Sequence, residues 1–268
     1  MIVRIVIWTA LTLTVFTLAA LSTVFFAQRA LIYPAPELSG RNVPDGMLPA
    51  ILQTEDGLSL DAAYRPATAS LPVIVFFHGN GGSIAGAAAA TEQLGAPGYG
   101  LLLVEYRGYG GNPGSPSEAG LYDDGRAALA WLGGQGVSRD RIVLIGNSLG
   151  SGVATQLASE GKAAALILIS GFSSLTDVAG RHYPWAPVRL LLRDRYDNLT
   201  KLSRVHAPVL ILHGARDTLI PIEHGERLAA ANPRSTLVRV EGAGHDLAHW
   251  PVSQVRIAKW LVQLPQRR

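Results

Sequence analysis

Three stretches far apart in the chain hold the residue types that acyl transfer requires. Gly146-Asn147-Ser148-Leu149-Gly150 sets a serine between glycines two residues away on either side. The wholly apolar run Ile142–Ile145 precedes it, and a stretch of helical composition follows. A strand-to-helix turn this sharp crowds its neighbours, so glycine is wanted at both flanks. The turn lifts the serine Oγ above the sheet, at the positive end of a helix. The bland alternative is an N-cap serine at a βα turn. A serine hydroxyl is a poor nucleophile at neutral pH and needs a base beside it, itself oriented by a carboxylate.

Of the seven histidines, His245 sits best for that base. It lies in Glu241-Gly242-Ala243-Gly244-His245-Asp246, a Gly-rich loop directly after the last apolar run. The acid should fall between nucleophile and base in chain order. Asp217 does, in the loop after Val209–Leu212. All three positions follow strands at their carboxyl ends, where sites of open α/β sheets collect. The expected triad is Ser148, Asp217 and His245. Asp246 is too close to His245 to turn back on its Nδ1 and fits a helix N-cap. His224 and His249 fall on helices, and His206 and His213 border a strand, where a structural role is expected. Developing negative charge on the oxyanion needs N–H donors. Leu149 supplies one, and His78-Gly79-Asn80-Gly81-Gly82 supplies the second through Asn80, with Gly79 the neighbouring possibility. Tyr106 and Tyr109 open at the same edge, in a loop better read as structural, with Arg107 in a charge pair. No metal-ligand spacing occurs and no cofactor is implied, since Walker and dinucleotide patterns are missing.

Elements that would position these residues follow from the alternation of the chain. Ile51–Tyr64 shows two alternating runs around Asp56-Gly57, a hairpin signature. Six short apolar runs follow: Val73–Phe77, Leu101–Val104, Ile142–Ile145, Ala165–Ile169, Val209–Leu212 and Thr236–Val240. Strands buried on both faces of a parallel sheet read this way. Ile84–Leu94, Pro116–Leu132, Leu149–Ser159, Pro221–Ala231 and Pro251–Leu264 read as covering helices, and Ser115-Pro116-Ser117-Glu118 reads as a helix start capped by Ser115. The fold class is α/β: a mostly parallel, doubly wound sheet with an N-terminal antiparallel hairpin. Residues 172–205 break the rhythm and are expected to form a short helical cap over the strand ends.

At 268 residues the chain has room for one large domain beyond its N-terminus. Ile5–Ala27 carries no charge, and as a helix it would reach about 34 Å, enough to cross a hydrocarbon layer about 30 Å thick. The run is long for a signal peptide, although Ala20-Leu21-Ser22 resembles a cleavage site. An uncleaved single-pass membrane anchor over 1–28 is expected, then a Pro- and Gly-containing linker over 29–49 and the catalytic domain over 50–268. The very short N-terminal tail fits a body outside the cytoplasm. A net charge of +3, spread without Lys or Arg runs, argues against nucleic acid. Cysteine is absent, which excludes disulfides, thiolate metal sites and a cysteine nucleophile. Nothing in the sequence sets an oligomeric state.

Taken in order, FFHGNGG, VEYRGYGGNPGSPSE, IGNSLGSG, PVRLLLRDRYDN, APVLILHGARDTLIP and GAGHD resemble the α/β-hydrolase superfamily, and most of all its small membrane-anchored abhydrolase-domain branch. The likeness runs from about Ile51 to about Leu261. It implies the α/β-hydrolase fold, with the nucleophile at Ser148, acid at Asp217 and base at His245. Asp246 stands where that motif often carries Asn. The expected activity is that of a serine esterase or lipase acting on a small-molecule or lipid-like ester. A serine peptidase, a thioesterase and a non-catalytic binding protein on the same fold are the alternatives.

Overall fold

The computed structural model describes residues 1–35, 43–68, 70–95 and 97–264. In chain order the elements are α1 (Ile2–Ile32), β1 (Leu48–Gln53), β2 (Ser59–Arg65), β3 (Val73–Phe77), α2 (Ile84–Gly95), β4 (Gly100–Val104), α3 (Glu118–Gly134), β5 (Ile142–Asn147) and α4 (Gly150–Ser159). Then come β6 (Ala165–Ile169), α5 (Leu175–His182), α6 (Val188–Leu191), α7 (Asn198–Leu202), β7 (Val209–Gly214), α8 (Ile222–Ala231), β8 (Ser235–Val240) and α9 (Pro251–Gln263). The strands form one eight-stranded sheet in the order β1-β2-β4-β3-β5-β6-β7-β8. β1, β2 and β4 pair antiparallel, and every pairing from β4 through β3 to β8 is parallel.

Alternate side chains of each strand feed opposite faces. Val73, Val75 and Phe77 pack with α3, α4 and α8, whereas Ile74 and Phe76 pack with α2 and α9. The chain therefore covers one face after β3 and the other after β5. These two strands are neighbours, so a crevice must open between the loops at their carboxyl ends. The apolar runs seen in the sequence match the central strands, but β8 is only partly buried because it forms the sheet edge. Its Arg239 pairs with Glu241, placing charge on the exposed border.

Two boundaries differ from expectation. Ser117, not Ser115, caps α3, its Oγ accepting the Gly120 N–H at 3.1 Å. The preceding proline does not enter the helix; its ring instead packs beneath Gly108. The N-terminal helix continues to Ile32, four residues into the expected linker, because its last turns are bonded to the body. Residues 36–42 of that linker lie outside the described residues.

Between β6 and β7, α5, α6 and α7 lie over the carboxyl edge. The base of this segment is a polar cluster with a buried centre: Ser173 Oγ lies 2.8 Å from His224 Nδ1 and 2.9 Å from Asp177 Oδ2, and the half-exposed Arg227 bonds both Ser173 and Asp177. Burial first, and then the Arg227 charge, push His224 down to about 4. The folded value lies below the unfolded one, so the unfolded chain binds more protons between about pH 4 and 6.5. Stability therefore rises with pH across that window and is lost as pH falls through it. At 1.36 kcal/mol per pH unit the loss is about 3 kcal/mol. Denaturant unfolding of wild type and His224→Gln at pH 7 and pH 4 should show the difference between them shrinking by that amount; a pH-independent difference would refute it.

Candidate active site

Ser148 stands on the turn between β5 and α4 with φ +49°, a left-handed conformation costly for a residue with a Cβ. The turn holds because its flanks have no side chains. A Cβ on Gly146 would lie 2.6 Å from the Ser151 Cα, and one on Gly150 would fall on the Phe77 carbonyl. Ser148 N–H donates to the Ile169 carbonyl at 2.9 Å, tying the turn to the neighbouring strand. The Oγ is thus raised over the crevice between β3 and β5.

Asp217 and His245 reach the same place on loops that grip each other. Ala215 N–H donates to the Val240 carbonyl and Arg216 N–H to the Ala243 carbonyl, at 3.0 and 2.9 Å. Gly214 permits that approach, since a Cβ there would overlap the backbone at Ala243 and Gly244. His245 Nδ1 lies 2.8 Å from Asp217 Oδ2, and its Nε2 lies 2.9 Å from Ser148 Oγ. A carboxylate only accepts, so Nδ1 carries the proton and Nε2 presents its lone pair to the serine hydroxyl. Asp217 Oδ1 accepts the N–H groups of Leu219 at 3.0 Å and Ile220 at 2.8 Å. Burial acts to raise the Asp217 carboxyl, but the bonds from His245 and Ile220 outweigh it and hold the group below its ordinary value. The three expected residues are brought together.

The loop 78–82 closes the other side of the crevice. Gly79 packs on the nucleophile, a Cβ there lying 3.2 Å from the Ser148 Cβ. Among the described residues neither the Asn80 nor the Leu149 N–H has an acceptor, and both residues line the cavity that reaches Ser148. Glu105 fixes this loop at both ends, with Oε1 2.9 Å from His78 Nε2 and Oε2 accepting the Ile84 N–H at 3.0 Å. Tyr106 is fully buried and donates to the His78 carbonyl, and Tyr109 is buried behind it, so neither lines the crevice. Arg107 is the expected charge-pair residue, held 2.7 Å from both Asp56 and Asp124.

Other expectations resolve locally. His213 stands 3.7 Å from Asp217 Oδ2, but its Nε2–H is committed to the Ile220 carbonyl at 2.7 Å, and burial first lowers its basicity. Asp246 occupies the cap position of the turn Leu247–His249 without a side-chain cap bond. No sequence pattern marks Ser170. At φ +47° it directly follows β6 and donates from Oγ to the His245 carbonyl at 3.1 Å, fixing the base loop. Among the described residues no group of three or more His, Asp or Glu side chains gathers as a metal site would.

Two cavities meet at Ser148. The smaller, about 300 Å³, is bordered by the 78–83 loop, Asn147, His245 and His249. The larger, about 550 Å³, runs beside α5 and α6 through Leu149, Phe172, Val178 and Ala179 to Val24, Gln28 and Leu31 of α1.

Comparison with known proteins agrees with this architecture. Residues 72–187 match the family model described as alpha/beta hydrolase fold, and residues 185–263 match that of TAP-like protein. An uncharacterized protein of Mycobacterium tuberculosis is 43% identical over 233 residues, 82% of this chain and 80% of the relative. The alpha/beta hydrolase domain-containing protein WAV2 of Arabidopsis thaliana is 30% identical over 217 residues, 72% of this chain and 70% of its own. Among solved structures, an esterase of Pyrococcus furiosus superimposes with a TM-score of 0.70 at 21% identity, over 86% of this chain and 97% of that one. Matched over most of its length by relatives of that kind and folded as they are, the chain belongs to the α/β-hydrolase family.

Proposed function

We propose that the protein is a serine hydrolase that cleaves carboxylic esters through an acyl-enzyme, anchored to a membrane by α1. The observation that carries this reading is the continuous hydrogen-bonded line from Asp217 Oδ2 through His245 to Ser148 Oγ, at 2.8 and 2.9 Å. In the first half-reaction the Ser148 proton passes to His245 Nε2 as Oγ bonds to the ester carbonyl carbon. Charge gathers on the carbonyl oxygen, which the Leu149 and Asn80 N–H groups receive. The carbon–alkoxide bond then breaks, and the alcohol leaves with the proton from Nε2. In the second half-reaction water gives a proton to Nε2, attacks the acyl carbon and releases the acid, and Ser148 regains its proton.

The esterase likeness of the Pyrococcus neighbour supports the reaction type. The anchor reading is supported by α1 itself, long and apolar enough to cross a membrane, with none of its most apolar stretch buried in the protein. Residues 172–205 then act as the cap of the catalytic body. A fluorophosphonate probe should label the wild type, and the labelled chain should stay with membranes washed in alkaline carbonate. Ser148→Ala should lose labelling and keep its membrane association. A folded wild type that takes no label overturns the reading.

A further inference from the structure

The larger cavity takes one of its walls from α1. Val24, Gln28, Leu31 and Ile32 of α1 form its outer side, and Ser148 lies at its inner end. The contact is fixed by polar bonds. Gln28 is 6% exposed; its Nε2 donates to the Leu191 carbonyl and its Oε1 accepts the Arg193 N–H, at 3.1 and 2.8 Å. Arg29 pairs with Asp194 at 2.8 Å, and the Tyr33 and Tyr196 hydroxyls meet at 3.0 Å. The end of α1 is thus bound to the cap, while every residue before Leu21 is exposed.

Length places this junction relative to the bilayer. About 20 helical residues cross the hydrocarbon layer, and α1 has 31. The uncharged run Ile5–Ala27 spans, and the last turns of α1, with Gln28, Leu31 and Ile32 on the cavity, emerge where the headgroups begin. The cap presents matching chemistry there. Trp185 and Leu190 are 75% and 82% exposed, in the same short stretch as Arg189 and Arg193. Exposed aromatic and aliphatic residues with interspersed arginines suit the interface between hydrocarbon and headgroups.

We propose that the substrate is a long-chain acyl ester resident in the bilayer, whose chain passes beside α1 and under the cap to Ser148. The carbonyl would then sit at the Leu149 and Asn80 N–H groups, with the alcohol portion in the smaller cavity. The products are a fatty acid and an alcohol. This rests on the ester-hydrolase reading and adds the substrate class and its path.

The test uses full-length protein in phosphatidylcholine vesicles, with 4-methylumbelliferyl laurate in the vesicles and 4-methylumbelliferyl acetate in the water, so that the leaving group is constant. Wild type should favour the laurate by at least tenfold in kcat/KM. Ala179→Trp, which fills the channel, should cut the laurate-to-acetate ratio at least tenfold. Leu31→Glu, at an exposed position that folding tolerates, should cut it as well. A wild type that favours acetate, or ratios unchanged in both variants while the fluorophosphonate label persists, overturns the proposal and leaves ester hydrolysis standing. A wild type that takes no label overturns both.

Discussion

Asp217→Asn is expected to lower kcat/KM for an ester by about 10⁴-fold in a chain that remains folded. The size of the effect follows from which oxygen does what. Oδ1 of Asp217 is already engaged by the Leu219 and Ile220 N–H groups, both donors. An asparagine must keep its carbonyl oxygen there, because its NH₂ would otherwise face two N–H groups. The NH₂ is thereby turned toward His245 Nδ1, where the carboxylate oxygen accepts a proton at 2.8 Å. Two donors cannot share that bond, so the imidazole shifts its proton to Nε2. Nε2 then faces Ser148 Oγ as a donor and cannot act as base. The imidazolium formed during attack also loses its counter-charge. Initial rates for wild type and variant, with fluorophosphonate labelling rates measured in parallel, check this. A fall of less than tenfold would remove Asp217 from the proposed mechanism.

The same bond pattern shows what a sequence can disclose. Ser148 and Asp217 are legible because each follows a strand whose apolar run is unmistakable, and His245 because its Gly-rich loop follows the edge strand β8; the parallel order sends all three carboxyl ends to one edge. Glycine at 146 and 150 is legible for a similar local reason. Ser170, Ser173 and Gln28 gave no such signal. Each is a lone polar residue whose importance depends on a partner 75, 51 or 163 positions away. The extent of α1 was hidden because Pro34 and Gly40 gave the following segment a loop-like composition, while the bonds that keep the helix intact come from the cap. Ser115, with Glu118 three residues on, satisfies the capping-box pattern, yet Pro116 packs against Gly108 and the cap falls to Ser117. Periodicity reports burial against the sheet. It cannot report that the N-terminal helix walls a cavity.

Gly150→Ala is expected to destabilise the fold by about 4 kcal/mol or more, beyond the 1–3 kcal/mol typical of overpacked side chains. The added carbon would fall on the Phe77 carbonyl and lie 2.7 Å from that of His78. Neither obstacle is a side chain that can rotate away. Phe77 ends a central strand that is buried along its whole length, and His78 is held by Glu105 and Tyr106. Relief must therefore come from moving the 78–82 loop away from the start of α4. That movement separates Asn80 from Leu149, so activity should fall further than the folded fraction does. Gly133→Ala provides the control: nothing lies within 4 Å of its Cβ position, and helix propensity alone predicts a gain of up to about 1 kcal/mol. Chemical unfolding of both variants, with ester turnover per folded molecule, separates the two effects. If Gly150→Ala were within about 1 kcal/mol of wild type and equally active, the close backbone approach that raises Ser148 over the crevice would not be a requirement of this turn.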